Sequence, residues 1–161
     1  MSDGFSHLIG QPLRRVLYYR PGSEADLDLN WPGVHDVGQG VELAFDGGHC
    51  FVTWDHAVEE EVSVRPGRMV DFLRAGAFED VSAHADWQPH VGQGLVAVQV
   101  RQNEVVLQFG ERQVYVVTAE VDMESLLIDG MADNLVVFFH EEARREFFAQ
   151  YPGEPTRSGP L

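Results

Sequence analysis

Residues 41–54 read VELAFDGGHCFVTW, and this stretch decides the fold because it contains a whole β-hairpin. Val41, Leu43 and Phe45 alternate with Glu42 and Ala44, and after the turn residues Cys50, Val52 and Trp54 alternate with His49, Phe51 and Thr53. Period-two alternation interrupted by Asp46-Gly47-Gly48 is the pattern of two antiparallel strands joined by a tight turn. Either two-residue loop, Asp46-Gly47 or Gly47-Gly48, puts Val41, Leu43, Phe45, Cys50, Val52 and Trp54 on one sheet face.

The chain contains a second version of this stretch. Residues 105–118, VVLQFGERQVYVVT, repeat the hairpin, with Phe109 and Tyr115 answering Phe45 and Phe51. Upstream of each hairpin lies a matching lead-in: Phe5, Ile9, Gly10-Gln11, Leu13 and Val16 correspond to Trp87, Val91, Gly92-Gln93, Leu95 and Val98. Matches in the same order over this length indicate an internal duplication, with halves at about 5–78 and 87–150. Residues 20–40 have no equivalent and carry Pro21-Gly22, the acids Glu24, Asp26 and Asp28, then Trp31-Pro32-Gly33 and His35. That composition predicts a long loop of functional type.

Further strands are expected at 13–19, 95–100 and around Val62 and Val64, and residues 135–139, LVVFF, read as a central strand. Met69, Val70, Phe72 and Leu73 suggest a short helical turn, 78–86 a linker, and 141–150 a helix with glutamates in its first turn, where the macrodipole favours them. The predicted class is α+β and β-dominated, with two antiparallel meander halves in a single domain over 1–150, a C-terminal helix and a flexible tail at 151–161.

Composition narrows the function. The formal net charge is −15 over 161 residues, and all eleven basic residues are arginine. Without lysine there is no Schiff-base chemistry and no phosphate-loop lysine. The charge repels nucleic-acid backbones and suits a basic protein partner. No apolar run is long enough for a membrane helix, and the N-terminal residues read as neither leader nor anchor, so a cytoplasmic protein is expected. Cys50 is the sole cysteine, which fits a reducing compartment.

Catalytic motifs are incomplete. His49 and Cys50 are neighbours on a strand and point to opposite faces, so they form no thiolate pair. Gly38-Gln39-Gly40 and Gly92-Gln93-Gly94 precede strands and open no helix, so they are turns. His84, Asp86 and His90 form one group of metal-compatible side chains, and Asp55, His56 and Glu59 a second, but neither spacing specifies a site. No cofactor, metal or catalytic residue is therefore assigned.

The first functional expectation is a non-enzymatic binding protein that engages a basic partner through Asp55, Glu59, Glu60 and Glu61. In general character this is similar to small immunity proteins that neutralise a toxin domain, and a homodimer is compatible with it. The alternative is a small ligand-binding protein or metal-assisted enzyme, using the 20–40 insertion and histidines near a cleft between the halves.

Overall fold

The computed structural model describes residues 4–20, 33–55, 61–72, 77–101, 103–121 and 128–150. The acidic part of the 20–40 insertion, Glu59, Glu60 and the 151–161 tail lie outside the described residues, as do the side chains of Asp55 and Glu61. The strands are β1 (Arg15–Arg20), β2 (Val34–Gly38), β3 (Gly40–Phe45), β4 (Gly48–Asp55), β5 (Glu61–Pro66), β6 (Ala77–Asp80), β7 (Leu95–Val100), β8 (Glu104–Phe109), β9 (Arg112–Val121) and β10 (Ile128–Phe138). One α-helix among the described residues, α1 (Glu141–Gln150), follows them.

The strands form two five-stranded antiparallel sheets, ordered β5-β4-β3-β1-β6 and β2-β10-β9-β8-β7. The run β1-β3-β4-β5 in the first thus has the same order as β7-β8-β9-β10 in the second. Registers agree as well: Val16 faces Leu43 as Val98 faces Leu107, and Glu42 faces Phe51 as Val106 faces Tyr115. The first hairpin closes through Asp46-Gly47, since Phe45 pairs with Gly48, and the second through Gly110-Glu111.

The two lead-in segments pair with each other. Pro12 bridges Gly94, and four backbone bonds surround it in matching pairs. Gly10 N–H donates to Leu95 O at 2.7 Å and Gly92 N–H to Leu13 O at 2.7 Å. Leu13 N–H donates to Gln93 O at 2.9 Å and Leu95 N–H to Gln11 O at 3.0 Å. Gly10 and Gly92 adopt φ of 88° and 87° with open space around an added Cβ, so the left-handed backbone, not crowding, is what calls for glycine.

The inner faces of the sheets share one core. Val41, Leu43, Phe45, Cys50 and Val52 pack there with Val105, Leu107, Phe109, Val114 and Val116, as the alternation of both hairpins predicts. Each outer face is covered differently. On the first sheet, Tyr19 and Phe51 pack with Met69 from a single 3-10 turn (Met69–Asp71), whose Met69 N–H donates to the buried Glu42 Oε2 at 2.8 Å. On the second, α1 lays Ala143 and Phe147 on Val106, Tyr115, Val117 and Phe138. Burying Phe147 contributes roughly 2–3 kcal/mol. Arg144 then grips the buried carboxylate of Glu104 at 2.7 and 2.8 Å, fixing the helix on the sheet.

Two expectations differ from what is found. Part of the insertion is a strand: β2 pairs antiparallel with β10, so the segment belonging to the first half extends the second sheet. Part of the 78–86 linker is β6, which covers the edge of β1, with Phe78 stacked 5.0 Å from the Tyr19 ring. Among the described residues, no helix is long and apolar enough to cross a membrane.

Candidate functional site

The polar centre of the molecule lies where β1, β2 and the turn-rich segment after β6 meet. Residues 84–93 wind through successive tight turns: Trp87 N–H donates to His84 O, His90 N–H to Trp87 O and Gln93 N–H to His90 O, at 2.9–3.0 Å. This winding aims His84 and Asp86 at β2 and buries Trp87 completely.

A chain of side-chain hydrogen bonds results. Trp87 Nε1–H donates to Tyr18 Oη at 2.7 Å, Tyr18 Oη lies 2.8 Å from His35 Nδ1, and His35 Nε2 lies 2.9 Å from Asp86 Oδ2. Indole only donates and a carboxylate only accepts, which fixes the direction. A neutral His35 therefore donates its Nε2–H to Asp86 and accepts a hydrogen bond from the Tyr18 hydroxyl at Nδ1. The His84 ring stands edge-on to His35 with centroids 4.4 Å apart, and Asp86 N–H donates to His84 Nδ1 at 3.1 Å.

One ligand atom from each of His35, His84 and Asp86 lies within 4.8 Å of the others. Two imidazoles and a carboxylate form a donor set accepted by zinc and by other divalent transition ions. To ligate through Nε2, His35 would move its proton to Nδ1, where Tyr18 Oη can accept it. Such a hydrogen bond behind a metal-bound imidazole sets its tautomer and orientation.

Asp86 also opens onto a cleft of about 490 Å³, within the usual range for small-molecule sites. The cleft lies between the 84–93 segment, the β8–β9 turn and the start of α1, so it belongs to the second sheet and not to a boundary between halves. His90, Arg112, Tyr115 and His140 line it. Gly33 helps shape the rim: at φ 76° it accepts Phe139 N–H at 2.9 Å, and a Cβ there would collide with the His140 ring.

His90 is 3% exposed, yet its Nδ1 is sealed in the protein without a hydrogen-bond partner among the described residues. Burial, and then the charge of Arg112, push its imidazole down to about 4, with Asp86 acting in the opposite direction. It is a neutral ring at physiological pH.

Of the residues singled out in the sequence, His84 and Asp86 come together, but their partner is His35, and His90 stands outside the group with its ring 5.9 Å from that of Trp87. Asp55 and Glu61 are paired at Cα level between β4 and β5. Glu59, Glu60 and the group with His56 fall outside the described residues. Tyr18, His35 and Arg112 were not singled out by spacing; the one hint was the short Val34-His35-Asp36-Val37 run in otherwise loop-like sequence. Cys50 is buried, and burial, followed by the charge of Glu42, pushes its thiol up to about 12. Comparison with protein-family models, curated proteins and solved structures finds no match.

Proposed function

We propose that the protein is a small-ligand-binding protein, or an enzyme assisted by a divalent transition metal, whose site is the cleft beside His35, His84 and Asp86. The observation that carries this reading is the convergence of three metal-compatible side chains, one of which, Asp86, lines a ligand-sized cleft. Tyr18 and Trp87 would hold His35 in place; the metal, when bound, would supply a Lewis acid facing the cleft through Asp86. The test is titration of the full chain with Co²⁺ at neutral pH, followed by visible absorption. Uptake of one ion with nitrogen–oxygen ligand bands, lost in Asp86→Asn, supports the reading. The absence of any Co²⁺ spectrum, or one unchanged in Asp86→Asn and His84→Gln, removes it.

A second reading keeps the acidic surface as the working part. Its support is the net charge of −15 and the placement of Asp55 opposite Glu61 on β5, the edge strand of the first sheet. In that reading a cytoplasmic chain captures a basic protein, and association slows as salt rises. We also propose that 1–150 is one domain made by duplication, supported by the matched strand orders and lead-in hydrogen bonds.

A further inference from the structure

The geometry points to an oxyanion subsite in this cleft, taking a phosphate or carboxylate group between His90, Arg112 and the first turn of α1. It rests on the reading of the cleft as a ligand site, though not on the metal.

The first observation is a residue the fold does not need. Leu8 occupies the place in the first half that His90 occupies in the second. Leu8 N–H donates to Phe5 O and His90 N–H to Trp87 O, both at 2.9 Å, while Leu8 O accepts from Gln11 N–H and His90 O from Gln93 N–H, both at 3.0 Å. Leu8 is fully buried, so an aliphatic side chain satisfies this turn. The second half instead buries an imidazole with an unpartnered nitrogen, a costly choice for packing alone. Because Nδ1 is sealed and the ring lines the cleft, the ring meets the cleft through its Nε2 edge. A neutral His90 carrying its proton on Nε2 presents an N–H donor there and leaves no buried N–H orphaned at Nδ1.

The second observation is a set of hydrogen-bond donors on the facing wall. Residues 139–142, which lead into α1 and begin it, line the same cleft. The first backbone bond of the helix runs from Arg144 N–H to His140 O at 3.2 Å, so the N–H groups of Glu141, Glu142 and Ala143 have no helical acceptor. Such N–H groups, with the helix dipole behind them, favour an anion. Arg112 projects from the β8–β9 turn into the cleft wall and forms no ion pair among the described residues. Asp86, Glu111, Glu141 and Glu142 also line the cleft and oppose an anion, Glu141 being engaged by Arg145 at 3.3 Å, so the subsite is confined to the directed donors of Arg112, His90 and the helix terminus. A guanidinium, an imidazole N–H and a helix terminus are complementary to an oxyanion held by charge-assisted hydrogen bonds.

The test uses the full chain with a chelator present, so that it is independent of any metal. Inorganic phosphate is titrated in one arm and acetate in the other, with amide chemical shifts as the readout. Saturable shifts in residues 141–143 are expected with phosphate, acetate or both; the tighter arm identifies the source of the oxyanion. Arg112→Gln should weaken binding about tenfold, the loss expected for one charge-assisted bond. His90→Leu should fold, with a thermal midpoint no lower than that of the parent, because Leu8 already fills the equivalent turn, and should lose the saturable shifts. No saturable shift with either anion, or shifts that survive both substitutions, would overturn the inference. Failure of Co²⁺ uptake would sink the metal reading and leave this experiment standing.

Discussion

The two halves place equivalent strands in equivalent order, yet their lead-in turns bury different side chains. In the first half the lead-in turn holds Phe5 and Leu8; in the second the same positions are Trp87 and His90. The first half in turn supplies Tyr18 on β1, where β7 has the half-exposed Val100, and sends β2 across to the second sheet with His35. The repeated framework therefore holds the chain, while departures from the repeat assemble the site. Where two equivalent positions differ, the aliphatic member shows what packing requires and the polar member shows what has been added.

The largest expected effect sets Trp87 against Phe5. Trp87→Ala should cost about 3–5 kcal/mol in chemical denaturation, since it empties a fully buried site and strips Tyr18 of its donor, whereas the partly exposed Phe5→Ala should cost less. Equal losses would mean that the two turns bear the same load.

Next comes Tyr18 against Val100. Tyr18→Phe leaves the Trp87 N–H and the His35 ring nitrogen without their shared hydroxyl, a loss of about 1–3 kcal/mol, while Val100→Ala should stay within about 0.5 kcal/mol. If a metal is held, Tyr18→Phe should also lower Co²⁺ affinity by about 10–100-fold. Unchanged affinity would restrict Tyr18 to a structural role.

His90 sharpens the comparison through pH. Its folded pKa of about 4 lies below the ordinary 6.5, so protonation favours the unfolded chain. The stabilisation from a neutral His90 is complete above 6.5 and is lost as pH falls from there through 4. Relative to His90→Leu, the parent should lose about 1–2 kcal/mol between about pH 7 and pH 5. Parallel pH profiles would show that His90 is not sealed as described.

The smallest effect concerns Cys50, equivalent to Val114 on the inner face. Its buried thiol, raised to about 12, should react with a thiol reagent far more slowly in native than in unfolded protein. Comparable rates would contradict burial of that face.

Most of the framework is legible in the sequence because hairpins with one inner face impose strict alternation, and both 41–54 and 105–118 obey it. The covering helix is legible from its acidic first turn and apolar stripe. β2 and β6 are not: VHDVG and AFED are short, mixed in polarity, and become strands because an existing sheet offers them an edge. The site is half legible. His84 and Asp86 stand out as neighbours, and nearness in sequence favours His90 as their companion, but the turns leave His90 outside the group. His35 reaches them only through sheet pairing, which local spacing does not encode. The unpartnered nitrogen of His90 is a property of its surroundings, so no motif announces it.

The pairing of β2 with β10 also governs the order in which the protein can mature. Asp36 takes as its ladder partner Val136, one hundred positions further along the chain (136 − 36). Contacts of that separation form late, because a large loop must close before they return any stability. A nascent chain that has released its first hairpin can already fold that hairpin, but His35 has no β10 to lie against until residues 128–138 have been made. The His35 cluster thus forms only once β10 exists: fragments truncated before β10 should retain β-hairpin character while lacking the His35 position altogether.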